Sequence, residues 1–152
     1  MNTKHPSTGD AGRKVSRILV ATDFSTQASN ALDWARALAG AFGAKLVLLH
    51  VIDIFSLAEV ACVMGGPDPL NLFREQAHKS MRELKALIPE AETAVREGSP
   101  RPLIVETAPE MNCQMIVMGT HGRSGLAHLF LGSVAEYVVR NSKVPVLTIR
   151  AN

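Results

Sequence analysis

Three short stretches of this chain are apolar almost without interruption: Ile18 to Ala21, Leu46 to Ile52 and Met115 to Met118. A strand with one wet face alternates apolar and polar residues. A run that does not alternate needs cover on both faces. Between the first two runs, Ala28, Ala31, Leu32, Ala35, Leu38, Ala39 and Phe42 recur at helical spacing, with Ser25 placed to cap and Gly43 to terminate. Strands buried on both faces and separated by helices predict a parallel sheet covered on each side.

The rest of the chain extends this pattern. Leu72, Phe73, Ala77, Met81, Leu84 and Ile88 predict a second helix ending at Pro89. Ala91 to Glu97 alternates weakly, as an edge strand would. Pro102 suits a helix start, and the helix from Leu103 runs into Pro109, which should shorten or kink it. Asn112 can supply a left-handed residue before a fourth strand, Gln114 to Met118. Ser133 and Glu136 have capping-box spacing, opening a helix to about Asn141, and Val144 to Arg150 forms a fifth strand. The connection from Asp53 to Asp68 is long for a loop. Its Ile54, Phe55, Leu57, Val60, Val63 and Met64 predict that it packs on something. Trp34 and the methionines read as core, and His50 as a hydrogen-bonded core histidine.

The expected fold is α/β: a five-stranded parallel open sheet, Rossmann-like, with helices on both faces. Strand order is not written in the sequence. With order 3-2-1-4-5, the reversal falls between the first and fourth strands, and ligands in such sheets bind at the carboxyl ends beside it. Asp23 ends the first strand and Gly119 the fourth, so they would face each other there.

At 152 residues the chain is expected to hold one domain, residues 17–152, behind a polar, flexible tail, residues 1–16. A net charge of +2, with scattered basic residues, argues against nucleic acid or an anionic membrane as partner. Cys62 and Cys113 have no metal-site spacing, and the N-terminus has no apolar core of a signal peptide. A reduced, cytoplasmic setting is expected. The most apolar window, Leu57 to Gly66, contains Glu59 and is too short to span a bilayer.

The chemistry concentrates after the fourth strand. Gly119, Gly122 and Gly132 are spaced G-x2-G-x9-G and lead into Ser133. Glycine permits positive φ and close backbone approach, so successive amides can converge on an anion. The helix starting there would add about 0.3–1 kcal/mol through its dipole. Arg123 can reach a phosphate from this loop, and a solvated arginine is its other reading. Asp23 is either a cap or a ligand contact. As a carboxylate it suits hydroxyl or amino donors better than phosphates.

The stretch GTHGRSGLAHLFLGSVAE, followed by VPVLTIR, resembles the signature of the universal stress protein family. ILVATDFS and LVLLHVID resemble that family's first two strands, so the likeness runs from Arg17 to Arg150. The resemblance implies ATP, with or without Mg2+, as in the family's ATP-binding branch. It implies that Ala21, Thr22 and Asp23 line the adenosine end and that Val51 touches adenine through its backbone. Met118 and Gly119 would lie near the ribose; Gly122, Gly132, Ser133 and Val134 would take the phosphates. It also implies a homodimer through strand 144–150, which would otherwise be an apolar edge prone to pairing. Pro109 and the Asn112-Cys113 pair depart from the family pattern, away from this site.

Other nucleotide and hydrolase patterns are missing. No GxxxxGK[ST] fixes a lysine on the phosphates, no GxGxxG follows the first strand, and no GxSxG elbow is present. The expectation is therefore a nucleotide-dependent stress regulator or sensor that is not an enzyme, with hydrolysis slow at most. A partner-binding module with an empty crevice and a slow ATPase are the alternatives.

Overall fold

The computed structural model describes residues 14–64, 69–121 and 131–150. Five parallel strands form one sheet: β1 Arg17–Ala21, β2 Lys45–Ile52, β3 Glu92–Glu97, β4 Met115–Gly119 and β5 Val146–Ile149. Their order is β3-β2-β1-β4-β5, so the expected reversal lies between β1 and β4. The described helices are α1 Thr26–Phe42, α2 Ile54–Met64, α3 Pro69–Leu87, α4 Pro100–Glu110 and α5 Ser133–Asn141.

The uninterrupted apolar runs are explained by two cores, one on each face of the sheet. Alternate side chains of a strand point to opposite faces. Ile18, Val20, Leu46, Leu48 and Val117 pack with Ala31, Leu32, Ala35 and Ala39 of α1 and Met81 of α3. Leu19, Ala21, Val47, Leu49, Ile116 and Met118 pack with Ile104 and Ala108 of α4 and Ala135 and Val138 of α5.

Several local signals have the expected outcome. Ser25 Oγ accepts the Ala28 amide at 3.2 Å, capping α1, and Gly43 closes that helix at φ 64°. Asn112 adopts φ 52° ahead of β4. Others are corrected. Residues 54–64, expected within a long connection, form α2, which packs against α3. Its cap is Asp53, whose carboxylate accepts the Ser56 amide at 3.1 Å and the Ser56 hydroxyl at 2.7 Å. α4 begins at Pro100, two residues before Pro102, and Pro109 stands in its last turn, one residue before the helix ends at Glu110. Trp34 is 58% exposed, because it lies beside the buried Ala31–Ala35 stripe of α1 rather than within it. β5 is shorter than the expected 144–150. Of the expected tail, residues 1–13 lie outside the described residues. Ser16 is tied down: its amide and hydroxyl donate to Gln114 Oε1, each at 3.0 Å, and its carbonyl accepts the Lys45 amide at 2.9 Å.

At the amino ends of the strands, Arg17 clamps the β3 edge by donating to both Glu92 carboxylate oxygens, at 2.7 and 2.6 Å. These bonds hold the Glu92 carboxyl below its ordinary pKa. A carboxyl with a depressed folded pKa stabilises the fold above its unfolded pKa. That contribution is lost as pH falls through the folded value. The urea midpoint is therefore expected to drop below about pH 4.5, and Glu92→Gln to flatten part of that drop. Parallel curves for the two proteins between about pH 5 and pH 3 would show that the clamp adds nothing.

Candidate functional site

A cavity of about 580 Å³ opens at the carboxyl ends of the strands, at the β1/β4 reversal. That volume lies within the range of small-molecule sites, about 300–1,000 Å³.

One wall is the turn from β1 to α1. The Thr22 amide donates to the Leu49 carbonyl at 2.9 Å, the last bond between β1 and β2. The chain then turns sharply. Thr22 Oγ1 accepts the Phe24 amide and Asp23 Oδ1 the Ser25 amide, each at 3.0 Å. Asp23 thus supports the turn while Ser25 caps the helix. Phe24 sits at φ 63°, a conformation costing a non-glycine residue about 1–2 kcal/mol. Its ring lies 4.4 Å from that of His50. His50 Nδ1 is 2.8 Å from the Thr22 carbonyl. A carbonyl only accepts, so Nδ1 carries the hydrogen. His50 is hydrogen-bonded, as expected, and also borders the cavity.

The floor is the end of β2. In a parallel strand, backbone groups of successive residues point to alternate sides. The Leu49 carbonyl faces β1, while the Ile52 carbonyl faces β3 and accepts the Gly98 amide at 3.0 Å. Val51 therefore turns its amide and carbonyl toward β1, which has already stopped at Ala21. A neighbouring donor and acceptor are left facing the crevice.

The opposite wall joins β4 to α5. The Gly132 amide donates to the Thr120 carbonyl at 2.8 Å, which holds the end of β4 against the start of α5. A Cβ on Gly132 would stand 2.8 Å from that carbonyl oxygen, and one on Gly119 would stand 3.3 Å from Gln27 Cβ. Gly132 has φ −61°, so close approach demands glycine there, not a left-handed backbone. The expected capping box does not form. Gly132 is the N-cap, Ser133 is the first helical residue, and Glu136 pairs with Arg140 at 3.0 Å. A glycine cap has no side chain to accept the first-turn amides. Ser133, Val134 and Ala135, which carry those amides, border the cavity.

Nine of the expected site residues line this one cavity: Ala21, Thr22, Asp23, Val51, Met118, Gly119, Gly132, Ser133 and Val134. Gly122 and Arg123 lie outside the described residues. Among the described lining residues none is lysine or arginine, and the carboxylates are Asp23 and Asp53. Three elements that the motif reading missed also contribute: α2 with Ser56 and Leu57, α3 with Phe73, Gln76, Ala77 and Ser80, and α4 with Pro100 and Ile104. For α2 the signal was available, since Asp53 three residues before Ser56 has the spacing of a helix cap.

A doubly wound parallel sheet with its cavity at the switch point defines a class of ligand-binding α/β proteins. Comparison narrows the class. The sequence model of the universal stress protein family matches residues 14–150. Universal stress protein MJ0577 of Methanocaldococcus jannaschii is 32% identical over 152 positions, covering 88% of this chain and 94% of the relative. The solved structure of MJ0577 is similar with a TM-score of 0.78, at 30% identity, covering 91% of this chain and 98% of that one. A universal stress protein solved in complex with cAMP has a TM-score of 0.57 at 29% identity, covering 88% and 95%. The chain belongs to the universal stress protein family.

Proposed function

We propose that this chain is an ATP-binding universal stress protein, acting in the cytoplasm as a nucleotide-dependent regulator or sensor. Residues 17–152 form the binding domain. The observation that carries this proposal is the α5 N-terminus, capped by side-chain-less Gly132 and opening onto the cavity opposite Asp23 and Val51. Such a terminus favours an anion through its amides and dipole. The Val51 amide and carbonyl suit the ring nitrogen and amino group of adenine. Asp23 accepts from hydroxyls. A relative solved with cAMP supports an adenine nucleotide. Among the described residues no group of three His, Cys, Asp or Glu could hold a metal ion. The protein's role is binding, with affinity resting on backbone groups, and the half-exposed β5 edge would join two copies.

Calorimetry on the full chain is expected to give a dissociation constant in the micromolar range, worth about 8 kcal/mol. ATP at about 100 times that constant should raise stability by about 2.7 kcal/mol, read as a shift in Tm. No heat and no shift at millimolar ATP would leave a partner-binding module with an empty crevice. Light scattering on the same sample tests the dimer, which a monomer at tens of micromolar would remove.

A further inference from the structure

We infer that α3 reads the N6/N7 edge of an adenine base through Gln76 and Ser80 and so sets the cavity's choice among purine nucleotides, an inference that rests on the nucleotide reading above. Phe73, Gln76, Ala77 and Ser80 follow one another at helical spacing and present one face of α3 to the cavity. That face is held in place. Ala77 and Met81 are buried against the sheet, and Arg74 donates to both Glu97 carboxylate oxygens at 2.9 and 3.1 Å, tying α3 to the carboxyl end of β3.

Gln76 Nε2 donates to Ser80 Oγ at 3.2 Å. The pair is exposed, and in this arrangement the Gln76 Oε1 acceptor and the Ser80 hydroxyl proton have no other partner among the described residues. An acceptor beside a donor is the complement of adenine's N6–H and N7. Guanine and hypoxanthine present O6 and N7, two acceptors, so Gln76 Oε1 would meet O6 lone pair to lone pair. Val51 takes the adjacent N1/N6 edge of the base from the floor. The 6-amino group then gives one hydrogen to the Val51 carbonyl and the other to Gln76.

The test measures calorimetric affinities of the full chain for ATP, ITP, which carries a 6-oxo group, and 7-deaza-ATP, which lacks the N7 acceptor. Wild type is expected to prefer ATP over ITP by about tenfold or more and over 7-deaza-ATP by about threefold. Gln76→Leu should cut the ATP/ITP preference about fivefold, by weakening ATP while ITP stays within about twofold. Ser80→Ala should bind ATP and 7-deaza-ATP equally. An unchanged ATP/ITP ratio in Gln76→Leu overturns the inference, as does a wild type that binds all three alike. In both cases the nucleotide reading stands. A wild type that binds none of the three removes that reading and the inference together.

Discussion

Gly132→Ala is expected to lower ATP affinity by about tenfold or more and to cost about 1–3 kcal/mol of stability. Backbone preference is not the cause, because φ −61° and ψ 153° suit alanine. The cause is contact. The new Cβ would lie 2.8 Å from the Thr120 carbonyl oxygen. That carbonyl cannot retreat without loss, since it accepts the Gly132 amide at 2.8 Å, while the Thr120 amide donates to the Ile149 carbonyl of β5 at 2.9 Å. Relief must come from moving the start of α5, which carries the amides facing the cavity. Gly43→Ala is the control. It forces alanine to φ 64° in open space, far from the cavity, and should cost about 1 kcal/mol with no change in affinity. Urea unfolding and calorimetry on both variants separate the two effects. Wild-type affinity in Gly132→Ala would show that the loop–helix junction does not shape the site.

Leu19→Ala should cost about 3–5 kcal/mol, a large part of the total stability of an ordinary domain. Leu19 is at the centre of β1, fully buried, and packs with Val47, Leu49, Ile116, Met118 and the helices behind them. Neighbouring strands hold the backbone on both sides, so the core cannot collapse into the space left. Leu87→Ala removes the same atoms from a residue 74% exposed and should cost less than about 0.5 kcal/mol. Urea midpoints at constant slope read the difference. A loss below about 1 kcal/mol for Leu19→Ala would mean the sheet centre repacks freely.

Much of the fold was legible because its signals are local or periodic. Ile18 to Ala21 and Met115 to Met118 show burial on two faces through the absence of alternation. Ser25 and Gly43 mark the ends of α1 through near-neighbour hydrogen bonding and a left-handed φ. The site was legible where a motif lay on a strand end, as at Asp23 and Gly119. It was not legible along α3, where Phe73, Gln76 and Ser80 belong to an ordinary amphipathic pattern. Nothing near them in sequence says that the helix will lie beside the end of β2. Trp34 misled for a related reason: aromatic character suggests core, but its position on the helix points away from the sheet.

The sequence by itself determined a parallel α/β sheet, the helix limits at Ser25 and Gly43, and a helix that starts just after Gly132. These follow from side-chain periodicity and from backbone preferences that act over a few residues. Tertiary structure decided the rest. Strand order set β1 beside β4. The Thr120 carbonyl made Gly132, rather than Ser133, the cap of α5. The end of β1 at Ala21 left the Val51 backbone facing the crevice, and the packing of α3 on the sheet brought Gln76 and Ser80 to the cavity wall. Each of these depends on groups far apart in the chain meeting across a few ångströms, and no local pattern encodes such a meeting.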